Sequence, residues 1–274
     1  MASSKIEFAV NMTCQSCVSK IKNSLVSVDG VDNVDVDLQQ KTVVVDTSLP
    51  SSVIQSHIES TGLRAILRGY GFQSGGEQHA AVAMLGGDTG YSYGKVKGVV
   101  RLVQLDNDHC VIDGTIDGLS PGRHGLHIHE CGDISQGCGS VGEHFSLQNT
   151  RHGGPDDDPQ NRHTGDLGNI EADESGRATF RLVDKVLKVW DVIGRSVVVT
   201  EGADDLGKGN SPNSLKDGNS GERLSCGIIS RSAGLFENQK QICACDGVTI
   251  WDERDRPVVG AGRRVTQSSL CAYI

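Results

Sequence analysis

The hydrophobic pattern of this chain changes character near residue 70, and one core cannot serve both sides of that change. Before it, Ile6, Phe8 and Val10 alternate as on a half-buried strand, and Val18, Ile21, Leu25 and Val28 recur as on one helix face, which Gly30 ends. After it come short β-patterned runs parted by glycine: Ala81–Leu85, Lys95–Leu105, Cys110–Asp117, Gly125–His129, Ala178–Val183 and Ser196–Val199. At 274 residues the chain exceeds the usual size of a single core, so the change marks a domain boundary.

Val34–Leu38 and Thr42–Asp46 pattern as a hairpin, Pro50–Ser60 as a second helix and Leu63–Leu67 as a last strand. Residues 1–70 therefore follow the order βαββαβ, the ferredoxin-like α+β arrangement. Residues 71–79 are glycine-rich and polar, as a linker is. Residues 80–233, with many short strands and long loops, form an all-β sandwich or barrel. Residues 234–274 are too poor in hydrophobics to fold alone and are expected as an extended tail, ordered mainly beside a partner.

A formal net charge of -9 and the lack of any basic stripe argue against nucleic acid as a partner, since its binders neutralise phosphates with clustered Lys and Arg. Met1–Val10 has no apolar stretch of signal-peptide length, and no apolar run reaches membrane-spanning length, so the expected address is the cytosol. Nine cysteines in that reducing compartment point to metal binding or thiol exchange rather than a disulfide framework. Cys14 and Cys17 form C-x-x-C and Cys243 and Cys245 form C-x-C, while Cys110, Cys131, Cys138, Cys226 and Cys271 stand alone. Cys271-Ala-Tyr-Ile274 only loosely fits a prenylation box, because Tyr273 is not aliphatic, so no stable membrane anchor is expected.

Met12-Thr-Cys14-Gln-Ser-Cys17 lies between a strand and a helix. Thiolates there gain from the helix N-terminal dipole and its free N–H groups. A soft pair suits Cu(I), and its open coordination admits an incoming sulfur, which transfer requires. Half a zinc site and a redox dithiol are the alternatives; no second C-x-x-C completes the first, and nothing thioredoxin-like surrounds the second. On these residues the unit resembles the heavy-metal-associated domains of copper chaperones and copper-transport ATPases. The resemblance implies a packing role for Met12. Arg64 is either a counter-charge for a copper bis-thiolate or a solvated surface residue.

His127-Ile-His129 sets two imidazoles on one strand face, and His144, His152, His163 and Asp166 follow in a glycine-rich stretch. Three histidines with an aspartate satisfy tetrahedral Zn(II), and nitrogen-rich positions beside them suit copper. Gly125-Leu-His-Ile-His129, Gly142-Glu-His-Phe145, His163-Thr-Gly-Asp-Leu-Gly-Asn169, Ala203-Asp-Asp-Leu-Gly-Lys208 and Gly218-Asn-Ser-Gly-Glu-Arg-Leu-Ser-Cys-Gly227 resemble Cu/Zn superoxide dismutase. The resemblance implies a Greek-key β-barrel. It implies zinc ligands at His144, His152, His163 and Asp166, and copper ligands at His127, His129 and the bridging His144. It further implies an orienting carboxylate at Asp204, a guiding arginine or structural donor at Arg223, and a Cys138–Cys226 disulfide. Where that family carries its fourth copper ligand, this chain has Thr200, and a hydroxyl is a poor copper ligand, so the copper site is degenerate and no dismutase activity is expected. The His152–His163 spacing is longer than the family's, which a loop absorbs at small entropic cost. Cys131 stands where the family has an aromatic.

Cys243-Ala-Cys245 lies in an otherwise polar segment, where adjacent thiols can bind Cu(I) or attack a disulfide. The order of thiol domain, dismutase-like domain and C-x-C tail resembles the family of copper chaperones for superoxide dismutase. That resemblance implies delivery of Cu(I) by the cysteine pairs and disulfide transfer by Cys243 and Cys245. It also implies a heterodimer with the dismutase through the barrel, a homodimer of the chain itself, and presence in cytoplasm, nucleus or mitochondrial intermembrane space.

Overall fold

The computed structural model describes residues 3–71, 79–87, 90–239, 241 and 249–253. Strand β1 (Ser4–Val10) is followed by α1 (Gln15–Val26), β2 (Val31–Asp37), β3 (Thr42–Thr47), α2 (Ser51–Glu59) and β4 (Ala65–Gly71). The strands make an antiparallel sheet in the order β2-β3-β1-β4, with Phe8 of β1 opposite both Val43 and Leu67. Ile6, Phe8 and Val10 meet Val18, Ile21 and Leu25 of α1 and Ile54 and Ile58 of α2, all buried, so the strand and helix periodicities converge on one core. The last strand runs on to Gly71 instead of stopping at Leu67, because Tyr70 is buried and its hydroxyl donates to Asp113 (3.3 Å).

The second unit comprises β5 (Ala80–Leu85), β6 (Tyr91–Ser92), β7 (Lys97–Gln104), β8 (Cys110–Asp117), β9 (Gly122–His129), β10 (Ser135–Cys138), β11 (Asp166–Ala172), β12 (Arg177–Asp184), α3 (Val189–Val192), β13 (Ser196–Thr200), α4 (Ser214–Asp217) and β14 (Arg223–Ser232). Eight strands follow the order β13-β9-β11-β12-β8-β7-β5-β14, pairing of β13 with β14 closes the barrel, and β6 adds to β14. Strand β8 pairs with β12 rather than with its successor β9, which is the Greek-key crossing. Leu126, Ile128, Ile112, Val197, Val199 and Ile229 fill the interior. Gly114 on β8 is needed there, since a Cβ would stand 2.3 Å from the Phe180 ring.

The two units share apolar surface: Ala80, Val103, Leu105 and Val111 of the barrel belong to the core built on β1 and the helices. Asp113 of β8 accepts the Ser51 N–H (2.7 Å) and hydroxyl (2.6 Å). Arg181 of β12 donates to the Tyr70 hydroxyl and to Ser4 Oγ (2.9 Å).

Within the tail, read as mostly extended, two described stretches pack against the rest of the chain. Leu235 is buried, and a short helix α5 (Ile250–Glu253) brings Trp251 to 4% exposure against the N-terminal unit. These two side chains supply the apolar area that the rest of the tail lacks. Cys243, Cys245 and Cys271 lie outside the described residues, as does most of the expected linker. Among the described residues no helix is long and apolar enough to cross a membrane.

Candidate metal centres

Cys14 is the residue before the first turn of α1 and Cys17 lies within that turn. Met12 is buried beneath the loop, and its packing fixes where the cysteines emerge. The two sulfurs are 3.7 Å apart, Cys14 exposed and Cys17 half-buried. A metal–thiolate bond is about 2.3 Å, so both sulfurs reach one ion while the solvent side stays open. Hydrogen bonds from the backbone and hydroxyl of Thr13, then from Cys14, lower Cys17 to about 7. Arg64 is not a freely solvated side chain: it donates to the Trp251 carbonyl (2.9 Å).

The second cluster lies outside the barrel wall. Leu126 and Ile128 point into the core, so His127 and His129, in alternation with them on β9, face the opposite side, beneath the 144–166 loop. There Asp166 Oδ1 gathers three imidazoles: His144 Nδ1 at 2.8 Å, His152 Nδ1 at 3.0 Å and His163 Nδ1 at 3.3 Å. His127, His144, His152 and Asp166 each place a donor atom within 4.8 Å of the others. His152 Nδ1 makes no hydrogen bond despite its closeness to the carboxylate. Three imidazole nitrogens, of His144, His152 and His163, gathered on one Asp166 oxygen, with His152 Nδ1 buried and unpartnered, are the donor set that tetrahedral zinc takes, so these residues fit that ion.

Behind these ligand candidates, Asp204 accepts His127 Nε2–H (3.0 Å) through one oxygen and His152 Nε2–H (2.8 Å) through the other, which fixes both tautomers. His129 Nδ1–H donates to the Gly142 carbonyl (3.0 Å), leaving Nε2 as the lone-pair atom. His127 Nδ1 and His129 Nε2 are buried without partners, and the His144 ring lies 4.1 Å from the His127 ring and 4.9 Å from the His129 ring. Thr200 is buried, and its hydroxyl serves the carbonyls of Gly125 and Gly202 (3.3 Å each).

Burial and the neighbouring His127 lower His144 to about 3, and burial, with His144 second, holds His129 well below its usual range. Burial would lower His152 too, but the flanking carboxylates of Asp166 and Asp204 outweigh it and raise this histidine to about 9. Burial would raise both carboxyls, yet the three imidazoles of His144, His152 and His163 close around Asp166 hold it well below the carboxylate range, and hydrogen bonds from His127 and His152 lower Asp204 to about 2.

Cys138 of β10 and Cys226 of β14 form a disulfide, and the Arg223 guanidinium donates to the Cys138 carbonyl (2.9 Å), so this arginine braces the bridge. Cys131 is an exposed free thiol, whereas Cys110 is buried and its thiol is raised by that burial. Sequence reasoning missed His124, buried with Nδ1 2.8 Å from the Thr200 carbonyl and Nε2 2.8 Å from that of Ser120. Three residues before His127, it falls in step with Leu126 and Ile128 rather than with His127 and His129, so the His-x-His spacing does not announce it.

The heavy-metal-associated domain model matches residues 7–63, and the copper/zinc superoxide dismutase (SODC) model matches residues 96–229. Among solved structures, the clock protein EA4 aligns with a TM-score of 0.50 at 39% identity, covering 58% of this chain and 98% of that one. The copper chaperone for superoxide dismutase of Sus scrofa is 56% identical over 259 residues, spanning 94% of this chain and 92% of the relative. The protein of the same name from Homo sapiens aligns with the same identity and coverage. With both domain models matched in this order, and identity above half along nearly the whole length, the chain belongs to the family of copper chaperones for superoxide dismutase.

Proposed function

We propose that the chain takes up Cu(I) at Cys14 and Cys17, delivers it to a Cu/Zn superoxide dismutase, and helps to form that enzyme's intrasubunit disulfide. The observation that carries this reading is a contrast between two sites. One is an open pair of thiols 3.7 Å apart; the other is a barrel in which Thr200 stands where the dismutase resemblance puts a fourth copper-binding nitrogen, its hydroxyl 3.3 Å from two carbonyls. The first can release an ion to an incoming sulfur, and the second lacks the nitrogen set that cycling copper needs. The chain is therefore a metallochaperone rather than an enzyme, and its copper is cargo.

The proposed division is 1–70 for copper uptake, 80–233 for recognition and 234–274 for transfer. In the recognition domain His144, His152, His163 and Asp166 would hold zinc, which when bound supplies positive charge that ties the loops to β11. Asp204 orients His152 in that set and His127 in the degenerate copper site. The barrel would pair with the dismutase barrel as a heterodimer and with a second copy as a homodimer, in the cytoplasm. A two-electron oxidant such as dioxygen would first join Cys243 and Cys245, free of copper, in a disulfide, which a target thiolate would attack to give a mixed disulfide. The target's second thiolate then displaces the tail thiol, so the target is oxidised and the tail leaves reduced.

The test is activation of apo, disulfide-reduced dismutase by the copper-loaded chain. Intact protein restores superoxide turnover, and Cys14→Ser/Cys17→Ser and Cys243→Ser/Cys245→Ser do not. Equal activation by both double variants would remove the thiols from the mechanism.

A further inference from the structure

Helix α2 and strand β4 lie over the outer face of β5, β7 and β8 without closing on all of it. At the Leu85 end of β5 they leave a cavity of about 540 Å³. Its walls come from both domains, with Ser52, Gln55 and Leu67 on one side and Met84, Val99 and Arg101 on the other. A space of this size at a domain junction, apolar over most of its wall and carrying a few polar groups, is the common form of a small-molecule site.

Arg101 lacks the counter-charge that its position calls for. By alternation along β7, Lys97, Val99 and Arg101 share the outer barrel face, while Val100 and Leu102 are buried in the core. Directly across the ladder from Arg101 stands Asp113 of β8. That carboxylate is already occupied: Oδ1 accepts the Ser51 hydroxyl, and Oδ2 accepts the Ser51 N–H and the Tyr70 hydroxyl. Among the described residues the Arg101 guanidinium has neither a hydrogen bond nor an ion pair. Burial lowers its pKa, and the nearby Asp113 and Tyr70 only partly offset this. A guanidinium withdrawn from water without a partner is unfavourable, and its fork of donors matches a carboxylate.

The surroundings favour an anion as that partner. Lys97 stands at the rim on the same strand face, and Asp117, the lining carboxylate, is paired with Arg177 (3.3 Å). Ser52 Oγ accepts from the Thr115 hydroxyl (3.1 Å), which leaves its own O–H to donate. In a chain with a formal net charge of -9, this wall carries an excess of cations. Next to Arg101 the wall is apolar, with Leu67 and Val99 half-buried and Met84 47% exposed.

We propose that this junction cavity binds a small amphipathic carboxylate, its head on Arg101 and Lys97 and its apolar body along Leu67, Val99 and Met84. The occupant touches both domains and therefore stabilises their junction when bound.

The experiment uses the full chain, with decanoate as the probe and decanol as its uncharged counterpart. Amide correlation spectra recorded by nuclear magnetic resonance should show saturable shifts at Gly86, Gly98 and Thr115 on addition of decanoate. Decanol should bind about tenfold more weakly. Arg101→Gln should weaken decanoate about 10–100-fold, with Arg101→Lys in between because the charge stays and the fork is lost. Met84→Glu, at an exposed position, should weaken it too. Because Arg101 has no partner in the ligand-free chain, Arg101→Gln should leave the urea midpoint unchanged or raise it. A lower midpoint would show that the guanidinium already has its partner within the protein. That result, shifts centred elsewhere, equal affinity for decanoate and decanol, equal affinity with and without Arg101, or no saturation below the micelle threshold would each overturn the proposal.

Discussion

The carboxylate of Asp113, on the barrel strand β8, caps helix α2 of the N-terminal domain by accepting both the N–H and the hydroxyl of Ser51. Pro50, the residue at the cap position, offers no side-chain bond, so the cap is supplied from another domain. Asp113→Ala leaves a buried helix start and the buried Ser51 hydroxyl without an acceptor. It should lower stability by about 1–3 kcal/mol, read as a lower urea midpoint. An unchanged midpoint would mean that water replaces the carboxylate at no cost.

Thr200 predicts the activity of the barrel. The chain loaded with copper and zinc should show negligible superoxide turnover per copper. Thr200→His, which adds an imidazole beside His127 and His129, should raise it on the order of tenfold or more. Substantial turnover before the change would place working copper in the barrel and contradict the chaperone reading.

Asp204 touches neither centre as a ligand candidate yet orients His127 and His152. Asp204→Asn should weaken zinc binding about 10–100-fold while leaving the barrel folded, measured by competition with a chromophoric chelator and by circular dichroism. An affinity unchanged within error would mean that the histidines hold their tautomers without it.

Cys17, lowered to about 7 by Thr13 and Cys14, should be the fast thiol of its pair. Because only the thiolate is nucleophilic, its alkylation by iodoacetamide in the metal-free chain should rise between about pH 6 and about pH 8, ahead of the rise in the urea-unfolded chain. Mass mapping follows this; coincident profiles would show that folding does not activate the thiol.

The parts of this molecule that were legible in its sequence are those where chemistry restricts the residue. The alternation of β1, the spacing of α1 and the His127–His129 pair each repeat a side-chain type at a period that the backbone imposes. Strand β11 was not seen, because Asp166-Leu-Gly-Asn169 turns its polar residues toward Asp204 and the histidines instead of toward solvent, which breaks the usual alternation. The start of β14 is hidden likewise by Arg223, which braces Cys138. Ser51 resembles any helix start, and its acceptor lies 62 residues away. Trp251 lies 242 residues from the carbonyl that receives it, a pairing that no local pattern announces.

Because Val103, Leu105 and Val111 of the barrel pack into the same core as Phe8 and Ile54, the thiol loop is not a swinging arm. Its distance from the histidine cluster is set by the fold and cannot shrink on demand. An ion held at Cys14 and Cys17 therefore rides on a platform braced by the barrel, and whatever receives it must come to that platform.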